Sequence, residues 1–138
     1  MAIRLENVRN LASIQNANGY SFEIQMEYLP ELSVNHYKHF GTGFTKSAVK
    51  RWMEDLSGGL YYMGRERGIR WPDYKITVRI DAFFKYNRVA DVHNFLKIVC
   101  DSVEDCTLVN DKLYATECGT PEIGEPKLII TVTVERED

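Results

Sequence analysis

Little in this sequence would stabilise it covalently or hold it in a lipid bilayer. It has three cysteines, Cys100, Cys106 and Cys118, and no CxxC pair. That spacing supports neither a disulfide framework nor a zinc site, and the three read as reduced thiols, with Cys100 part-buried on its helix. No apolar run approaches the roughly 20 residues a membrane-spanning helix needs, so no membrane partner is expected. The opening stretch, "MAIRLENVRN", lacks the apolar core of a signal peptide, and a cytoplasmic protein is expected. A surplus of basic charge is also missing. The formal net charge of −3 argues against an indiscriminate polyanion binder, although a basic stripe can coexist with an acidic remainder. No repeat, low-complexity tract or linker divides the 138 residues, a length that fits one domain with a real core.

What is present is periodicity. In "YSFEIQMEY" Tyr20, Phe22, Ile24, Met26 and Tyr28 share one face, and Ser21, Glu23, Gln25 and Glu27 share the other. A period of two predicts a strand with one wet side. Pro30, Gly41 and Gly43 mark the following stretch as a loop. "TKSAVKRWMEDLSGGL" reads as a helix that Thr45 can cap, with Val49, Trp52, Met53, Leu56 and Leu60 at helical spacing. "YKITVRIDAFF" is a second strand, "ADVHNFLKIVCDSVEDC" a second helix, and "KLIITVTVE" a closing strand, with a short strand around Leu113 to Thr116. The order β-α-β-α-β-β predicts an α+β, two-layer single domain: a mixed, mostly antiparallel sheet with two helices on one face. Residues 1–19, polar and asparagine-rich with a weak helical stripe of Val8, Leu11 and Ile14, read as an N-terminal extension to a domain over 20–138.

The second helix carries the chemical question. At about 100° per residue, Val92, Phe95, Leu96, Val99 and Val103 gather in one arc. Asp91, Asn94, Lys97 and Asp101 lie opposite, Asp105 extends that stripe, and Asp111 follows beyond a turn. A solvated acidic face with Asp91 as its N-cap accounts for this pattern. So does the acidic half of a metal site. Phosphodiester hydrolysis needs an activated water and screening of transition-state charge, which Mg²⁺ held by carboxylate oxygens supplies, with a lysine alongside.

At these residues the sequence resembles the RusA-type Holliday junction resolvases, metal-dependent endonucleases often encoded by prophages. The family motif D-x-D-N-x-x-K-x-x-x-D, followed by an acidic pair, stands here as D-V-H-N-F-L-K-I-V-C-D and then N-D. The loop "LPELSVNHYKH" is similar to the family's P-x-S-x-N-x-x-Y through Pro30, Ser33, Asn35 and Tyr37. The resemblance covers about residues 20–135. It implies a homodimer that cuts branched DNA, the four-way junction, in recombination and repair, using Mg²⁺ or Mn²⁺. Asp91, Asp111, Lys97, Asp101 and Asn94 would be catalytic. Asp91 and Asp111 would ligate the metal, with His93 as a further ligand. Two positions depart from the pattern, since His93 replaces the second motif aspartate and Asn110 the first member of the distal pair. Fewer hard oxygens weaken a Mg²⁺ site, and imidazole suits Mn²⁺ or other transition metals; a histidine at a helix border is also commonly structural.

Candidate DNA contacts are Asn35, Tyr37, Lys38 and Lys46 around the first loop, and Lys85 and Arg88 ahead of the second helix, where the family carries an arginine run. His36, His39, Phe40, Lys50 and Arg51 extend the loop into a basic-aromatic patch, which ordinary surface charge also explains. Asp81 is either a further site carboxylate or the partner of Arg79 on a wet sheet face. Arg65, Arg67 and Arg70 are either a second DNA-tracking segment or a charged helix end, and Trp52 and Tyr61 read as core. Three functions compete: a junction-resolving nuclease, a homologue that binds branched DNA without cutting it, and a small intracellular interaction domain with no nucleic-acid activity.

Overall fold

A computed structural model gives the fold and describes residues 5–34, 36–86 and 92–136. The chain runs β1 (Val8–Asn16), β2 (Gly19–Glu27), α1 (Ser47–Glu66), β3 (Tyr74–Phe84), α2 (Leu96–Thr107), β4 (Ala115–Cys118), β5 (Glu122–Ile123) and β6 (Lys127–Arg136). The strands form one sheet in the order β1-β2-β6-β3-β4, with β5 beside β3. The β1–β2, β2–β6 and β6–β3 pairs are antiparallel, while β4 and β5 run parallel to β3. The expected α+β layering is present, with both helices on one face of a mostly antiparallel sheet.

Alternation builds that layering. Phe22, Ile24 and Met26 of β2, Ile76, Val78 and Ile80 of β3, and Leu128, Ile130, Val132 and Val134 of β6 all point to the helices and are buried. From α1 they meet Val49, Trp52, Leu56 and Leu60, and from α2 Ile98, Val99 and Val103. Each such side chain contributes about 1.5–3 kcal/mol on leaving water. Trp52 is fully enclosed and donates its Nε1–H to the Glu27 carbonyl at 2.7 Å.

Residues 8–16, expected to lie in an extension, are instead a strand of the sheet. Leu11 packs toward α1, where Gly59 leaves room for it: a Cβ there would stand 3.1 Å from Leu11 Cδ2. Buried Asp55 of α1 accepts hydrogen bonds from the Asn7 backbone N–H (3.0 Å) and side-chain amide (2.8 Å). Arg9 clasps Glu27 with two hydrogen bonds, 2.6 and 2.8 Å. Helix α1 also runs longer than its apolar pattern suggested. Its end carries Arg67, whose guanidinium stacks on Tyr20 and donates to Ser13 Oγ, so this basic segment ties a helix end to β1 and β2. Tyr61, expected in the core, is half-exposed on α1.

Two glycines of α1 should respond oppositely to alanine. A Cβ on Gly64 would collide with the Trp71 ring, whereas one on Gly58 meets nothing nearer than Leu5 Cδ2 at 3.4 Å. Gly64→Ala should therefore destabilise by about 1–3 kcal/mol through overpacking. Gly58→Ala should stabilise by about 0.5–1 kcal/mol through helix propensity. Urea unfolding of both variants measures the difference.

The Arg9–Glu27 clasp has a pH signature. The hydrogen bonds from Arg9 hold the Glu27 carboxyl below its ordinary value of 4.5. A depressed carboxyl stabilises the fold above its unfolded pKa, and that contribution disappears as pH falls through the folded value. Glu27→Gln should cost about 0.5 kcal/mol at pH 7, a figure already reduced for solvent screening. The gap between wild type and variant should close below about pH 4 in paired unfolding curves.

Candidate functional site

Three segments meet beside the amino-terminal half of α2. The first begins with a single 3-10 turn, Pro30–Leu32. The Val34 N–H then donates to the Asn94 carbonyl at 2.9 Å, fastening the loop to the 3-10 turn Val92–Phe95 that leads into α2. Beyond Val34 the loop folds back as a narrow finger. Lys38 and Thr45 form an antiparallel bridge, the His39 N–H donates to the Phe44 carbonyl at 2.8 Å, and the Gly43 N–H to the His39 carbonyl at 3.2 Å. Gly41 and Gly43 have φ of 87° and 73°, a left-handed backbone that suits glycine and closes the tip. Phe40 and Phe44 project into solvent from this finger. Tyr37 does not; its ring is buried, with Lys38 Nζ 5.3 Å from its centroid.

The second segment is α2. Lys97 Nζ lies 3.5 Å from Asp101 Oδ2, one turn on. Its ammonium is held above the ordinary lysine value, first by the charge of Asp101, then by Tyr37, and more weakly by Asp111. Lys97, Asp101 and Asp111 therefore share one electrostatic neighbourhood. Cys100 lies under it, its thiol pushed up to about 11 by burial and then by the Asp111 and Asp101 charges. That thiol is not a nucleophile at neutral pH.

The third segment is the turn that brings Asp111 in. Leu108 ends α2 in the left-handed region, φ 57°. A ring of hydroxyl hydrogen bonds secures the bend: the Val109 N–H donates to Thr107 Oγ1 (3.1 Å), Tyr114 Oη donates to the Val109 carbonyl (2.7 Å), and the Thr107 and Tyr114 hydroxyls meet at 2.7 Å. Burial pushes the Tyr114 phenol up to about 12. The Asp111 N–H donates to Glu104 Oε1 at 2.7 Å. Asn110, standing where the family carries an acid, accepts the Lys112 N–H at 2.9 Å and caps the 3-10 turn Asp111–Leu113. Its amide has a structural role.

The described residues expected at a metal centre lie on α2 and on the 3-10 turns at its two ends. Asp101 faces Lys97, His93 sits exposed on the 3-10 turn, and Asn94 contributes its backbone carbonyl to the loop. Among the described residues no three His, Cys, Asp or Glu side chains gather as a ligand group. Asp91, with the DNA-contact candidates Asn35 and Arg88, lies outside the described residues. Lys38 and Lys46 flank the finger, while Lys85 stands beyond β3 with Nζ 5.6 Å from the Tyr86 ring. Asp81 belongs elsewhere. On the open sheet face Arg79 grips it with two hydrogen bonds of 3.0 and 3.1 Å and reaches Glu117 at 3.3 Å. Sequence periodicity missed Glu104, which sits on the polar side of α2 but bonds a backbone N–H seven residues on. It also missed that Phe44 and Asp105 come to border one groove.

No family model matches this sequence, and no curated protein is significantly similar to it. Solved structures align with it at low identity. An outer membrane protein from Borrelia burgdorferi B31 aligns over 92% of this chain and 98% of its own, with a TM-score of 0.45 and 7% identity. The OmpA-like domain of FopA1 from Francisella tularensis subsp. tularensis SCHU S4 aligns over 96% and 86%, with a TM-score of 0.40 and 8% identity. The expectation of a metal-dependent nuclease resolving four-way junctions is corrected by these matches, which are to an outer membrane protein and an OmpA-like domain rather than to nucleases. At these TM-scores and identities they say nothing of its ligand or location. No helix among the described residues is long and apolar enough to cross a membrane.

The hydroxyl ring predicts a specific loss. Tyr114→Phe removes the donor to the Val109 carbonyl and the partner of Thr107, which should cost about 1–3 kcal/mol because both groups are left in a part-buried turn. Thermal unfolding measures it. Amide exchange at Asp111 should accelerate in parallel.

Proposed function

We propose that this chain is a binding domain that holds branched or partly unpaired DNA and leaves it intact. The observation that carries the reading is the finger. Lys38 and Lys46 share this loop with two outward-facing rings, Phe40 and Phe44, Lys50 follows in the first turn of α1, and backbone hydrogen bonds close the loop. Cations for the phosphates interleaved with aromatic faces for the bases are what a strand with exposed bases requires. The acidic remainder of the chain opposes long contact with uniform duplex. Lys97 and Asp101 neutralise each other at 3.5 Å, so this pair shapes the surface beside the finger and adds little net attraction.

Gel retardation of a synthetic four-way junction and a linear duplex of the same sequence tests this, at low ionic strength, in EDTA and in Mg²⁺. The junction should be retarded and stay intact under both conditions. Its affinity should fall with salt, and Lys38→Ala with Lys46→Ala should reduce the slope of log affinity against log salt by about 2. Absence of retardation at low salt would leave a domain that interacts with proteins, and metal-dependent cutting would overturn the non-hydrolytic reading.

A further inference from the structure

A groove of about 620 Å³ opens between the base of the finger, the first turns of α1 and the outer side of α2. Its size lies within the roughly 300–1,000 Å³ range of small-molecule sites. Phe44 and Met53 give it an apolar wall, Lys50 and Ser47 stand at the start of α1, and Glu54 and Asp105 face the same space from the two helices. None of these six residues belongs to the Lys97–Asp101–Asp111 cluster.

We infer that this groove seats one unpaired nucleobase bearing an exocyclic amino group, on a strand held by the finger. The inference rests on the DNA-binding reading and names the part of the ligand that reaches the groove. The flat ring of Phe44 can stack a base, and Met53 supplies a polarisable contact. Lys50 lies one helical turn before Glu54, so an ammonium is available to the phosphate of a nucleotide whose base points toward the acids. Glu54 and Asp105 are acceptors only when ionised, and like charges across one groove favour a ligand that brings N–H donors. The N4 amino group of cytosine is such a donor, and carboxylates read it. Thymine presents O4, an acceptor, in the corresponding place. Uniform duplex keeps its bases stacked and cannot enter.

Fluorescence anisotropy with labelled oligo(dC) and oligo(dT) tests the inference, because both are pyrimidine strands of equal charge. Oligo(dC) should bind about tenfold more tightly. Phe44→Ala should weaken oligo(dC) by about tenfold, the order expected for loss of one base–aromatic stack. It should leave the salt slope for the junction unchanged, since no phosphate contact is lost. Glu54→Gln with Asp105→Asn should erase the difference between the two strands. All three changes fall on the groove surface, and circular dichroism confirms the fold. Equal affinity for the two strands, with the junction still retarded, overturns the groove assignment and leaves the binding function standing. Binding of no DNA removes both. Free cytidine monophosphate competing as strongly as the strand would make the ligand a nucleotide and overturn the strand. Retention on anionic vesicles with no oligonucleotide binding would assign the exposed ring to a lipid surface and also overturn it.

Discussion

Trp52 places its whole indole inside the core and gives its single N–H to the Glu27 carbonyl at the end of β2. An unpaired indole N–H at that depth would cost about as much as a lost hydrogen bond, and truncating the ring would cost more. The contact fixes the register of α1 along the sheet. From it follow the position of Asp55, which captures Asn7 and so brings β1 into the sheet, and the position of the start of α1, where the finger ends. The groove beside Phe44 owes its two walls to that register, since Met53 and Glu54 immediately follow the tryptophan and Asp105 comes from the helix packed alongside.

The fold was largely legible because its strands obey a strict period of two. β2, β3 and β6 each alternate without interruption, and both helices carry an apolar stripe that only a sheet face could cover. β1 was not legible. Val8, Leu11 and Ile14 are spaced like a helix, but Val8 and Leu11 pack against the core while Ile14 is left exposed at the sheet edge. What recruits β1 is long-range: the Arg9 clasp on Glu27 and the Asp55 bonds to Asn7, neither of which has a local signature. The far end of α1 was hidden for a related reason. Gly64 has a low intrinsic helix propensity, yet the helix continues through it and the Trp71 ring occupies the place of its side chain.

The candidate site was legible in part. The charges of Asp101 and Asp111 both reach Lys97, while Asp91, the other expected ligand, lies outside the described residues. Chemistry does not follow from that convergence alone. A carboxylate 3.5 Å from an ammonium has its charge already answered, and a cation arriving there must displace the lysine or work against it. Asn110 looked like a lost ligand in sequence, whereas its amide caps the next turn. Periodicity assigns a residue to a face; whether that residue serves a backbone amide or a ligand is decided by segments far away in the chain.

The finger shows the same distinction from the other side. Phe40 and Phe44 lie in a stretch whose glycines and polar residues read as an ordinary loop. Exposed phenylalanines on a mobile loop would gain little by stacking on a ligand, because ordering the loop would consume the gain. Here the Lys38–Thr45 bridge, the His39–Phe44 hydrogen bond and two glycines at positive φ close the backbone of the finger. Three lysines on a chain with net charge −3 supply only modest attraction to a phosphate backbone. On the proposed DNA-binding reading, affinity would come from contacts that are short-ranged and insensitive to salt, such as those offered by bases free of their stack. Exposed rings on a hydrogen-bonded finger and a weak field are the two features on which the proposed preference for strands at a branch rests.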